Sequence, residues 1–98
     1  MILAIDFDDV IHWRANPKPG RKMGPPMEGA QEALTELMLQ GHTIIIHSCN
    51  RPSVIADWTA FYGIPYSTIT NIKPIADWYI DDKALRFVSW EQTMRDIQ

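Results

Sequence analysis

Two apolar runs stand out along the chain, Ile2-Leu3-Ala4-Ile5 near its start and Thr43-Ile44-Ile45-Ile46-His47 near its middle. Neither alternates with polar residues, so each predicts a strand buried on both faces. Both stop abruptly at polar residues, the first at Asp6-Phe7-Asp8-Asp9 and the second at Ser48-Cys49-Asn50. Between them Ala30, Ala33, Leu34, Leu37 and Met38 recur at helical spacing, which predicts an amphipathic helix from Met27 to Gln40 that Gly41 ends. A second helix starts at Pro52, carries Val54, Ile55, Trp58, Phe61 and Tyr62 on its apolar face, and stops at Gly63. Tyr66 to Ile69 is a weaker, half-polar strand suited to a place near an edge. Trp78-Tyr79-Ile80 predicts a fourth strand, which runs directly into Asp81-Asp82. Ser89-Trp90-Glu91-Gln92 has the spacing of a capping box, and Trp90, Met94 and Ile97 predict a buried stripe on a short last helix.

Strands and helices that alternate in this way predict an α/β domain with a mainly parallel sheet. The expected architecture is a small Rossmann-like, three-layer domain whose four or so strands, in the order 3-2-1-4, are flanked by helices. A chain of 98 residues suits a single domain over 1–98. The stretch 11–26 has no periodicity and holds four prolines and two glycines, so it is expected to be a loop, long enough to act as a flap. A hydrophobic share of 46% with 21% charged residues excludes a disordered or fibrous chain. No apolar run approaches the ~20 residues of a membrane span, and the first residues lead straight into a strand, so no membrane association and a cytoplasmic location are expected. One cysteine, Cys49, forms no internal disulfide, in keeping with a reducing compartment. The net charge of −3 argues against general adhesion to nucleic acid. The charge is uneven, however, because His12, Arg14, Lys18, Arg21 and Lys22 share the loop while acids gather at Asp6 to Asp9 and at Asp81-Asp82.

In parallel α/β sheets ligands bind beyond the carboxyl ends of the strands, at the point where strand order reverses. Strand ends one, two and four carry Asp6 and Asp8, Ser48, and Asp81 with Asp82. Gathering these carboxylates without a counter-ion is costly, and a divalent cation relieves the repulsion. Ligands that are all oxygen favour Mg²⁺, which is usually held by one or two carboxylates together with phosphate oxygens. A carboxylate beside both metal and phosphate is placed to attack phosphorus, and a second one to protonate the leaving oxygen and then activate water. Asp6 and Asp8 fit these two roles.

Asp6-Phe7-Asp8-Asp9-Val10 resembles the first motif of the haloacid dehalogenase-like phosphatase superfamily, Asp-x-Asp-x-Thr/Val. Ser48 after its apolar strand, Lys73-Pro74, and the pair Asp81-Asp82 after a strand resemble the other three motifs, in the superfamily's order. The resemblance covers most of the chain. It implies that Asp6 is the nucleophile and Asp8 the general acid/base. Metal binding would fall to Asp6, the Asp8 backbone carbonyl, and Asp81 or Asp82, and the phosphoryl group would be held by Ser48 with its neighbours Cys49 and Asn50, and by Lys73. A carboxylate at Asp8 is what the phosphatases of the superfamily have and its dehalogenases lack, so the implied activity is Mg²⁺-dependent phosphate ester hydrolysis through an aspartyl-phosphate. Two departures stand out: Asp9 occupies a position that is often Gly, and only Pro74-Ile75-Ala76 separate Lys73 from the fourth strand. That connection is too short for a helix, which leaves Arg51 or Lys83 as alternative cations. The chain has the 11–26 flap and no cap domain, which favours large phosphorylated substrates such as a nucleic-acid end, or a second copy of the chain completing the open site; a nucleotide is the small-molecule alternative. Trp13 with Arg14, Lys18, Arg21 and Lys22 would suit a polyanion or a base, or would simply form a solvated loop.

Rival readings remain at this stage. A non-catalytic phosphate-binding module would keep the fold and metal site, and a receiver-like phosphotransfer domain would place its accepting Asp on a middle strand, where this chain has Ser48. Cys49 has Arg51 too near for a cysteine phosphatase loop and reads as a structural thiol. His42, His47 and Cys49 make no zinc pattern, and His47 is expected in the core. Trp58, Trp78 and Trp90 are expected to be buried by packing.

Overall fold

The computed structural model describes residues 1–13 and 24–98. Seven elements follow one another: β1 (Ile2–Asp6), α1 (Ala30–Leu39), β2 (Thr43–His47), α2 (Pro52–Tyr62), β3 (Thr68–Thr70), β4 (Trp78–Ile80) and α3 (Trp90–Ile97). The strands form one parallel sheet in the order β3-β2-β1-β4, so the α/β class and the strand order are as the sequence predicts.

Pairing fixes which residues share a face. Leu3 lies opposite Ile44 and Ile5 opposite Ile46, and side chains alternate between faces along each strand. These four side chains therefore point to one side, where they form a single buried cluster with Leu34 of α1 and with Ile55 and Trp58 of α2. Both long helices thus cover the same face. The reason is topological, because two successive right-handed crossovers in one direction, β1 to β2 and β2 to β3, put both helices on one side. The return from β3 to β4 contains no helix, as its short length predicts. It is fastened at its end by the Asp77 N–H, which donates to the Ile2 carbonyl (2.8 Å), and by the Ile2 N–H, which donates to Asp77 Oδ2 (2.6 Å).

Glycine ends the first two helices as expected. Gly41 and Gly63 have φ of 90° and 67°, and the Gly63 N–H closes α2 on the Thr59 carbonyl. Helix α1 begins three residues later than its pattern suggests, after Gly29 in a left-handed conformation. Ser89 caps α3, its Oγ accepting from the Gln92 N–H at 3.1 Å.

Burial departs from expectation at the carboxyl-terminal quarter. Trp58 is buried, but Trp78 and Trp90 are exposed, and the stripe of Trp90, Met94 and Ile97 is exposed as well. Periodicity requires only that the apolar face meet something, and α3 packs against no other helix or strand among the described residues. No helix among the described residues is long and apolar enough to cross a membrane.

Candidate active site at the carboxyl ends of three strands

The reversal of strand order falls between β1 and β4. Asp6 closes β1 there, and because Ile5 pairs with Ile80, Asp81 follows at the level of Asp6 on the neighbouring strand. Asp6, Asp81 and Asp82 each bring a carboxylate oxygen within 4.8 Å of the others. The Asp81 Oδ1 accepts from the Lys83 N–H (2.8 Å), and the Lys83 ammonium lies 3.1 Å from Asp82 Oδ2. That contact lowers the pKa of Asp82. Asp6 is raised, first by burial and then by the charges of Asp81, Asp8 and Asp82. One carboxylate of the group thus carries the cost of proximity while another is partly neutralised.

The three carboxylates could hold a divalent metal ion. The ligands are all hard oxygens, two of the three carboxylates are exposed, leaving room for water, and the strain on Asp6 is what a cation removes.

The Asp8 carboxylate is not in that triad. It lies beyond the end of β1, where its Oδ1 accepts from His12 Nε2 at 2.6 Å and from Asn50 Nδ2 at 3.5 Å. Asn50 Nδ2 also donates to Ser48 Oγ (2.9 Å), and the Asn50 N–H donates to the same oxygen (3.1 Å). Ser48, Asn50, Asp8 and His12 are therefore joined in one line of polar contacts that crosses from β2 to β1. Cys49, between Ser48 and Asn50, is a free, exposed thiol.

His12 is the residue that sequence reasoning missed. Its sequence neighbours place it with the basic loop, yet it is buried, with its ring 4.4 Å from Phe7 and 5.9 Å from Trp58 between centroids. The tautomer protonated at Nε2 donates to Asp8 and leaves Nδ1 buried with no partner among the described residues. The base of the flap folds in to achieve this. The Met27 N–H donates to the Ile11 carbonyl (2.7 Å), the Trp13 N–H to the Pro25 carbonyl (2.8 Å), and Trp58 Nε1 to the Gly24 carbonyl (2.9 Å). The available signal was a histidine four residues beyond Asp8 in a stretch that must turn back. Trp13 itself is exposed, and Arg14, Lys18, Arg21 and Lys22 lie outside the described residues.

Asp9 has φ 60°, a left-handed conformation that explains why glycine suits this position; its N–H donates to the His12 carbonyl (2.8 Å).

A cleft of about 880 Å³ opens beside the triad on the face of the sheet away from α1 and α2. Asp6, His47, Lys73, Tyr79 and Asp81 line it, so Lys73 reaches the cleft despite its short connection. Its ammonium sits 4.9 Å from the centre of the Tyr79 ring. His47 is half-buried and borders the cleft rather than the core, since its register partner is Asp6. Arg51 is exposed ahead of α2 and does not line the cleft.

The fold resembles that of a conserved protein from Bacteroides thetaiotaomicron, with a TM-score of 0.69 at 22% identity over 99% of this chain and 88% of the other. No protein-family profile matches the sequence, and no curated protein matches it.

Proposed function

We propose that the protein is a Mg²⁺-dependent phosphohydrolase that works through a phosphorylated Asp6. The observation that carries this reading is the division of labour among carboxylates: Asp6 belongs to a triad suited to a cation, while Asp8 stands apart, held by His12 and Asn50. Asp6, Asp81 and Asp82 would hold the ion, with the Asp8 backbone carbonyl as the further oxygen that the superfamily resemblance implies. Bound there, it would offset the negative charge of the triad and of the incoming phosphate.

The chain's own groups account for the remaining chemistry. A carboxylate oxygen of Asp6 attacks phosphorus as the bond to the ester oxygen breaks, and protonated Asp8 delivers its proton to that leaving oxygen. Asp8, now a carboxylate, takes a proton from water as the water oxygen attacks phosphorus. The bond to Asp6 breaks, inorganic phosphate leaves, and both residues return to their starting states. Ser48 Oγ accepts from Asn50 and keeps its own proton to donate to a phosphoryl oxygen, while Lys73 lines the cleft that Asp6 and Asp81 border.

The substrate class this supports is a phosphate monoester, on a small molecule such as a nucleotide or on a nucleic-acid end, since the cleft is open. The direct test is phosphate release from an aryl phosphate with Mg²⁺ and with chelator. Release by the wild type that stops with chelator and in Asp6→Asn supports the proposal; equal release by wild type and Asp6→Asn rejects it.

A further inference from the structure

We propose that two copies of this chain associate through β4, the segment 84–88 and α3, so that each copy covers the bare carboxyl-terminal surface of the other. Of sixteen large apolar side chains exposed among the described residues, ten lie between Ile75 and Ile97. All three residues of β4 are exposed, Trp78 by 50%, and on α3 Trp90 and Ile97 are exposed by 71% and 70%.

The areas call for an occupant of protein size. At roughly half of the 150–250 Å² that an aromatic side chain offers, the four aromatic residues among the ten present about 400 Å² per copy, to which the six aliphatic side chains add. The largest apolar patch on an ordinary monomer is about 300–600 Å², and a standard interface takes about 800 Å² from each partner.

Helix α3 needs a surface for its own sake. It has eight residues, and isolated helices shorter than about 12–15 residues are marginal in water. Ser89 caps it, and Glu91–Arg95 and Gln92–Asp96 pairs hold its polar side, but its apolar side meets no other element among the described residues. Among the described residues, the apolar side of α3 therefore has no floor and β4 has no covering helix. Two-fold association satisfies both at once, because the same contact is made twice by the same residues. The cleft beside Asp6 is bounded by β4 and by Leu85 and Phe87, so the second copy would sit at its mouth.

The association is independent of any catalytic activity and is tested on the full chain by light scattering coupled to size exclusion. The wild type is expected at twice 11.3 kDa, with dissociation only on strong dilution. The double variant Trp90→Glu/Met94→Lys keeps a helix-favouring pair at i, i+4. It is expected at the monomer mass, with the circular dichroism of the sheet and of α1 and α2 retained. A wild type that stays monomeric over two decades of concentration overturns the proposal, whether α3 folds back on its own sheet or awaits a different protein. A dimer that the double variant leaves intact overturns it as well.

Discussion

His12 Nε2 lies 2.6 Å from Asp8 Oδ1, and the imidazole that makes this contact is buried between Phe7 and Trp58. A proton-transferring carboxylate must be held still, and here an aromatic cluster holds the residue that holds it. On the proposed function, His12 is a positioning residue. His12→Phe keeps the ring and removes the donor; at about 1 kcal/mol for one hydrogen bond, kcat should fall about fivefold to tenfold with KM nearly unchanged. His12→Gln, which returns a donor near the Nε2 position, should recover most of the loss. Equal kcat in wild type and His12→Phe would show that the contact serves folding alone.

Asp9 offers a test of the backbone. At φ 60° a β-branched side chain is disfavoured, so Asp9→Val should cost about 1–2 kcal/mol, whereas Asp9→Gly should be neutral or slightly stabilising. Thermal melts of the two variants decide this, and a stable Asp9→Val would mean that the turn relaxes to another conformation.

The base of the flap depends on Gly24, where an added Cβ would stand 1.9 Å from the Trp13 carbonyl oxygen. Backbone must move to admit it, so Gly24→Ala should lose about 1–3 kcal/mol. Because Gly24 also accepts from Trp58 Nε1, the substitution should alter the fluorescence of that buried indole. A melting curve and emission spectrum both equal to those of the wild type would contradict the close contact.

For Asp6 the pH dependence follows from the sign of its shift. Its pKa is raised in the folded protein, by burial first and by neighbouring carboxylates next. Folding therefore favours the protonated form. The resulting contribution to stability is complete below the ordinary carboxylate range and is lost as pH rises through the raised pKa. Without metal, Asp6→Asn should then melt a few degrees higher than the wild type at neutral pH, with the difference vanishing in acid. Added Mg²⁺ should raise the melting temperature of the wild type and not that of Asp6→Asn. A variant that melts lower at neutral pH would remove the case for a strained Asp6.

Much of this site was legible in the sequence because parallel α/β sheets put their strand ends together. Uninterrupted apolar runs identified β1 and β2, and the polar residues that ended them had one edge on which to meet. The paired acids after β4 could be placed beside Asp6 for the same reason, and the structure adds that Asp81 and Asp82 both reach it. His12 was illegible because its burial depends on a long-range closure, Ile11 to Met27 and Trp58 to Gly24, that no local pattern encodes. His47 was misplaced because its strand is covered by helices on one face only, so alternate residues look into the cleft. The exposure of Trp78, Trp90 and Met94 was hidden for a related reason: an apolar stripe announces that it must be buried and is silent about which chain buries it.

The central claim is that phosphate passes through Asp6, and acid quenching during turnover of an aryl phosphate with Mg²⁺, followed by peptide mass spectrometry, tests it most directly. The account predicts a phosphoryl group on the peptide that carries Asp6. With an aryl oxide, which leaves without needing a proton, Asp8→Asn should accumulate it, because loss of general base catalysis slows hydrolysis by about 10²–10⁴. Turnover that leaves Asp6 unlabelled, or labels another residue in its place, would contradict the account.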